Sequence, residues 1–235
     1  MDFKSLELSD KSVIDSFLSQ DPPKISELTF TNLFMWRLRY KPLWRIWDDN
    51  LILILQDHNG YFALPPIGLG DKSEALRFAV GQLSKFSSDV RIGRADKEFV
   101  QNYVDSNEFK IVEDRDNSDY VYLAEDLIRL PGNRFHAKKN HINKFLKKHN
   151  FDYRRLENDI AQAFLELQED WCELKDCLED LDLIHEDRAI YEAITNYAQL
   201  GFKGGAIIID SKVEAFALGE LLNPETAVIH VEKAN

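Results

Sequence analysis

One order of elements, run through twice, constrains the fold of this chain more than any other feature. In residues 9–19, Val13, Phe17 and Leu18 recur at helical spacing behind Ser9, a suitable N-cap. A second helix is predicted over residues 30–40, and Lys41-Pro42 breaks it. Short apolar runs follow at 43–47, 51–56 and 61–64, the last stopped by Pro65-Pro66. Asp48-Asp49-Asn50 and Asp57-His58-Asn59-Gly60 supply turn chemistry between them, which predicts an antiparallel meander. The chain then predicts a loop with Gly68 and Gly70, and a helix from Lys72 to Phe86 capped by Asp71. A strand at 90–93, a helix at 97–104 and a strand pair at 109–112 and 120–123 complete this part.

The order starts again after Leu156. Asn158 can cap a long helix whose stripe is Ile160, Phe164, Leu167, Trp171, Leu174 and Leu178. A helix over 187–200 carries Ile190, Ala193, Ile194 and Tyr197, and Gly201 ends it as a C′ residue. Runs at 205–209, 213–222 and 227–233, joined by Asp210-Ser211-Lys212 and Asn223-Pro224-Glu225, form a second meander. Both halves therefore run helix, helix, strand, strand, strand. The fold class expected is mixed α/β (α+β), two similar lobes with mainly antiparallel sheets. The lobes span 1–130 and 157–235, joined by a linking helix and strand over 131–156. The second copy stops after its third strand, so it is expected to be incomplete, with a sheet edge open to self-association.

Charge narrows the function. A formal net charge of −12 argues against general DNA binding by the whole surface. Acid and base are segregated, however. Arg134, Lys138, Lys139, Lys144, Lys147, Lys148, Arg154 and Arg155 face only Asp152 in their stretch, and the following stretch is nearly all acidic. The longest strictly aliphatic run, 51–55, is too short for a membrane span, and Met1-Asp2-Phe3-Lys4 is no signal peptide. A cytoplasmic protein is expected. Cys172 and Cys177, five apart on a predicted helix, point in different directions, which suits reduced structural thiols and neither a disulfide nor a zinc site.

The basic segment is the sharpest local signal. Leu130-Pro131-Gly132 punctuates the lobe boundary and Asn133 can cap the helix after it. Phe135, Ile142 and Leu146 share a face that is expected to dock on a core. Arg134, Lys138, His141 and Lys148 fall on an adjoining face, with Lys144 at its edge, where they could hold a phosphate or carboxylate. The alternative is a solvated face that meets the acidic helix of the second lobe.

Leu130 and Gly132, then Lys138-Lys139-Asn140, then Asn143 and Phe145 form a pattern that resembles a bacterial family of domain-of-unknown-function proteins. That family is grouped with the C-terminal domain of phosphatidylglycerol lysyltransferase. The stretches 214–220 and 228–235 resemble it too, and the resemblance covers essentially the whole chain. It implies two tandem acetyltransferase-like (GNAT) lobes. It also implies acyl or aminoacyl transfer to an amine or hydroxyl, with acyl-CoA or aminoacyl-tRNA as donor and no permanently bound cofactor. Under this reading Arg134, Lys138, Lys139, Asn140 and His141 bind an anionic small molecule, lipid headgroup or aminoacyl-tRNA.

Such a transfer needs a base. Alternation in the last strand places Val228, His230 and Glu232 on one face, with Glu214 and Glu220 projecting from the same face of the preceding strand. His230 and Glu232 are the candidate catalytic residues. A solvated polar face is the bland alternative. The Gly68-Leu69-Gly70 loop is a weak anion-binding signal, because Asp71 at the helix N-cap repels phosphate. Phe34, Trp36, Trp44 and Trp47 read as core, and no metal-ligand spacing is present among His136, His141 and His149. The competing functional class is a non-catalytic binding or assembly protein derived from the same fold.

Overall fold

The computed structural model describes residues 2–85 and 87–235. The expected helix end at Phe86, like Met1, lies outside the described residues.

The first sheet contains β1 (Lys4–Ser5), β2 (Leu43–Trp47), β3 (Asn50–Asp57), β4 (Gly60–Ala63), β5 (Ile67–Gly68) and β6 (Arg91–Ile92). Its order is β1-β2-β3-β4-β6, with β5 also on β3. All pairs are antiparallel except β4 and β6, where Phe62 lies opposite Arg91 and Ala63 opposite Ile92. The helices of this half are α1 (Lys11–Gln20), α2 (Phe30–Met35), α3 (Arg37–Tyr40), α4 (Lys72–Leu83) and α5 (Lys97–Tyr103). Then come α6 (Ala124–Arg129), α7 (His136–Lys148) and β7 (Asp152–Arg155). The second half holds α8 (Ala161–Leu174), α9 (Leu181–Thr195), α10 (Tyr197–Leu200), β8 (Lys203–Ile209), β9 (Lys212–Asn223) and β10 (Thr226–Ala234). Its sheet runs β10-β9-β8-β7, antiparallel throughout. Two mainly antiparallel sheets with helices between them agree with the mixed, GNAT-like fold expected.

Both meanders form because their turns are local. Asp48 and Asp49 take φ of 46° and 55°, and Asp210 and Ser211 take 49° and 68°, the left-handed pairs that tight hairpins require. Burial then closes the core: Leu51, Leu53 and Leu55 face one side of β3, Ile52 and Ile54 the other. The larger core is continuous across both halves, joining Ile14, Phe30 and Phe34 to Phe164, Ile190, Phe216 and Val231. α2 packs on α9, Arg37 pairs with Glu192 at 2.7 Å, and Asn223 Nδ2 donates to the Pro23 carbonyl at 2.9 Å. Phe34 and Trp44 are buried as expected, and Trp47 stacks on Phe78 at 4.6 Å.

Several local expectations fail for physical reasons. Trp36 divides the predicted second helix into α2 and α3. Ser9 lies inside a 3-10 turn, and the capping interactions come from Glu7 and Asp10 instead. Asn158 does not cap α8, since its side-chain oxygen accepts from the Tyr197 hydroxyl at 2.7 Å. Residues 109–112 and 120–123 form no strands; Tyr120 and Val121 are exposed, and β propensity without a neighbouring edge builds no ladder. The long stripe ends early. α8 stops at Leu174, Asp176 turns left-handed at φ 50°, and Leu174 and Leu178 are exposed. That turn brings Cys172 and Cys177 together as a disulfide with Cα atoms 5.0 Å apart, correcting the expectation of two separate thiols.

Candidate functional site

The basic helix stands apart from both sheets. Residues 133–135 form a 3-10 turn before α7, and Asn133 caps nothing. Of the face expected to dock, only Phe135 is buried, whereas Ile142 and Leu146 are exposed. Phe145 stacks instead on His149 and meets the Phe151 ring at a tilt of 51°. Arg134 is occupied, with its guanidinium on Asp126 and over the Phe135 ring. Lys138, Lys139, Asn140 and His141 are exposed, and their side chains make no hydrogen bond or ion pair among the described residues. They form a solvent-facing cationic ridge, and among the described residues they do not meet the acidic helices of the second half.

The second cluster is built on the β9–β10 hairpin. His230 Nε2 lies 2.9 Å from Glu220 Oε1, and the His230 side chain is 2% exposed. An ionised carboxylate only accepts, so Nε2 carries the proton, and among the described residues Nδ1 has no hydrogen-bond partner. Burial raises the Glu220 pKa, but the hydrogen bond from His230 and the hydroxyls of Thr29 and Thr31 more than offset it. The net direction is downward, so Glu220 stays ionised. The Thr31 hydroxyl acts at longer range, outside hydrogen-bond geometry. Thr29 caps α2, so this pair from the second half sits against a helix start from the first.

Glu232 does not share that face. The register of β10 against β9 shifts between Ile229 and Val231, so one extra residue is inserted at His230. Beyond the bulge Val231 pairs with Leu218 and Lys233 with Phe216, all buried, while Glu232 pairs with Ala217 and is exposed. Glu214 is displaced as well, by a second shift between Ile207 and Ile208 of β8, and its carboxylate accepts from Asn235. Simple alternation predicts four polar groups on one face; the bulges leave Glu220 and His230 alone together.

The glycine loop is a packing device. A Cβ on Gly68 would fall 2.2 Å from the Asp49 carbonyl oxygen, and one on Gly70 only 1.9 Å from that of Asp48. The α4 N-terminus is already filled, since Asp71 accepts from Ser73 N at 2.9 Å and Glu74 N at 3.0 Å. The Asp71 carboxylate thus occupies the place, and carries the charge, that a phosphate would bring.

A cleft that the sequence does not reveal lies in the first half. About 220 Å3 in volume, it is walled by Trp36, Tyr40, Phe62 and Leu64, with Glu27 and Arg94 among its polar residues. Leu64 and Arg94 follow β4 and β6, so the cleft opens at the C-terminal ends of the parallel pair, where α/β sheets receive ligands. Arg94 is held by Glu27 at 2.6 Å and has φ of 58°, an unusual backbone for a non-glycine residue. Nothing in the local sequence marks these groups, because the strands and helices that assemble them are distant in the chain. Neither this cleft nor the one between α3, α8 and α9 is lined by α7 or by His230. Among the described residues no helix is long and apolar enough to cross a membrane, and no cluster of His, Cys, Asp or Glu could hold a metal.

Comparison with known proteins agrees with this architecture. The family described as phosphatidylglycerol lysyltransferase, C-terminal, matches residues 22–235. A crystal structure of a conserved protein of unknown function from Bacteroides thetaiotaomicron VPI-5482 superposes with a TM-score of 0.90 at 31% identity, covering 99% of this chain and 79% of that one. No curated protein matches the chain.

Proposed function

The chain belongs to the phosphatidylglycerol lysyltransferase C-terminal family, and from that premise we propose that it transfers an acyl or aminoacyl group to an amine or hydroxyl acceptor. The family match over residues 22–235 carries this reading. The acceptor nucleophile attacks the carbonyl carbon of an acyl-CoA thioester or an aminoacyl-tRNA ester, and the thiol or ribose hydroxyl leaves. Lys138, Lys139, Asn140 and His141, solvent-facing and unpaired, engage the anionic part of donor or acceptor. The apolar cleft between Trp36, Tyr40 and Phe62 suits the acyl chain or aminoacyl side chain. His230, oriented by Glu220, is the base, taking the acceptor's proton at Nδ1. Glu232, on the opposite face, is not retained in that role. A cytoplasmic setting suits both donor classes, and this reading takes two lobes, 1–130 and 157–235, around the linking segment.

Single-turnover transfer from acyl-CoA and aminoacyl-tRNA donors tests this. His230→Gln is expected to lose at least about 100-fold in rate, while Glu232→Ala keeps wild-type turnover. Full activity in His230→Gln removes the base from the mechanism. A second reading, assembly without catalysis, draws on the open edge of β10 and the exposed Leu221 and Ile229. It predicts no turnover with any donor and a dimer or larger species by light scattering.

A further inference from the structure

The Cys172–Cys177 bridge lies where α8 ends and the turn toward α9 begins. It closes a very short loop, so it removes little entropy from the unfolded chain and serves poorly as a global staple. Its position is local and mechanical instead. Gln168 Nε2, one turn before Cys172 on α8, lies 3.5 Å from Cys172 Sγ and donates to Asp187 Oδ1 of α9 at 3.2 Å. Cys172 Sγ itself lies 3.7 Å from the same Asp187 oxygen. Gln168 and Asp187, with Leu38, Leu165, Tyr191 and Glu192, line a cleft of about 340 Å3 between α3, α8 and α9. Gln168 is buried, and among the described residues its Oε1 has no hydrogen-bond partner. The bridge thus touches the polar groups that shape this cleft. The loop residues 173–176 are exposed and Cys172 is half-buried, whereas Cys177 is buried.

We propose that Cys172 and Cys177 form a reversible thiol–disulfide site for a dithiol reductant, and that its bonded state holds Gln168 on Asp187 to set the shape of the α3–α8–α9 cleft. One thiolate of the reductant attacks the more accessible Cys172 Sγ, forming a mixed disulfide and expelling the Cys177 thiolate, which takes up a proton. The second reductant thiol then attacks the mixed disulfide, releasing Cys172 and leaving the reductant oxidised by two electrons. Reduction places an S–H donor against Asp187, in competition with Gln168, and frees Asp176 from its left-handed turn. The α8–α9 pair loosens at the end nearest the cleft.

The test combines alkylation mass spectrometry with amide hydrogen exchange on the intact native chain, in oxidised and reduced dithiothreitol buffers. The expected result is no alkylation when oxidised, two additions when reduced, and recovery of the bridge on reoxidation. Exchange across residues 168–187 should rise several-fold on reduction. Cys177→Ser should show the faster exchange in both buffers, and substituting Trp171→Phe should remove a reduction-dependent change in tryptophan fluorescence. The proposal is overturned by two free thiols in the oxidised protein, by a bridge that dithiothreitol opens only after unfolding, or by equal exchange in both states.

Discussion

Glu220 receives the Nε2–H of His230 at 2.9 Å across adjacent strands, beneath the start of α2. The pair belongs to one hairpin, but its carboxylate also faces Thr29 of the first half, and removing the imidazole leaves it ionised there without its main donor. His230→Ala is expected to cost about 2–3 kcal/mol, the scale of a lost hydrogen bond to a charged group. Urea unfolding measures it. A loss under 1 kcal/mol would show that water replaces the imidazole at no appreciable cost.

The same carboxylate sets an acid limit. Burial opposes its ionisation, but His230, Thr29 and Thr31 bring its pKa below the ordinary 4.5. Burial likewise opposes ionisation of Asp57 and Asp10, but Arg91 at the first, and Lys4 and the Glu7 amide at the second, shift both downward from 3.8. A depressed folded-state value gives stability that is fully present above the unfolded value and lost as pH falls through the folded one. Thermal melts should therefore hold level down to about pH 4.5 and decline below it. Glu220→Gln should decline less steeply than wild type over that range. Identical slopes would remove Glu220 from the acid transition.

Two glycines should respond in opposite directions. Gly70→Ala drives a methyl to 1.9 Å from the Asp48 carbonyl oxygen, backbone that cannot swing aside. Its expected cost is about 2 kcal/mol, or roughly 4–8 °C in melting temperature for a chain of this size. Gly81, in the body of α4, has open space around its Cβ position. Gly81→Ala should stabilise by about 0.5–1 kcal/mol through helix propensity. Differential scanning calorimetry of the two variants decides both.

The cationic ridge on α7 should be thermodynamically idle and functionally sensitive. Among the described residues the Lys138 and Lys139 side chains have no partner to lose, so Lys138→Ala with Lys139→Ala should change stability by less than about 0.5 kcal/mol. Donor affinity at low salt should fall by about tenfold and lose part of its salt dependence. An unchanged binding isotherm across a salt series would exclude this ridge from donor recognition.

Local chemistry made much of the fold legible. The left-handed pairs at Asp48-Asp49 and Asp210-Ser211, the breaker at Pro42 and the αL cap at Gly201 each act within a few residues. What escaped the sequence depends on partners that it does not name. The bulge at His230 is a property of β10 registered on β9, and it reassigns every side chain beyond it. The break at Asp176 lies inside a stripe whose periodicity continues regardless. Arg94 and Glu27 meet only once β6 lies beside β4 and α2 covers them. Of the polar pairings expected around His230, Glu220 is found beside it and Glu232 is lost to the opposite face.

The unbroken core reaching from Ile14 and Phe30 to Phe164 and Val231 bears on inheritance as well as on folding. A change at Phe30 alters which residues Ile190 tolerates, because α2 and α9 share one packed layer. Substitutions in the two halves are therefore expected to be coupled, because both line one continuous core. Neither half could drift, be exchanged or be expressed alone without baring the apolar surface that the other now covers.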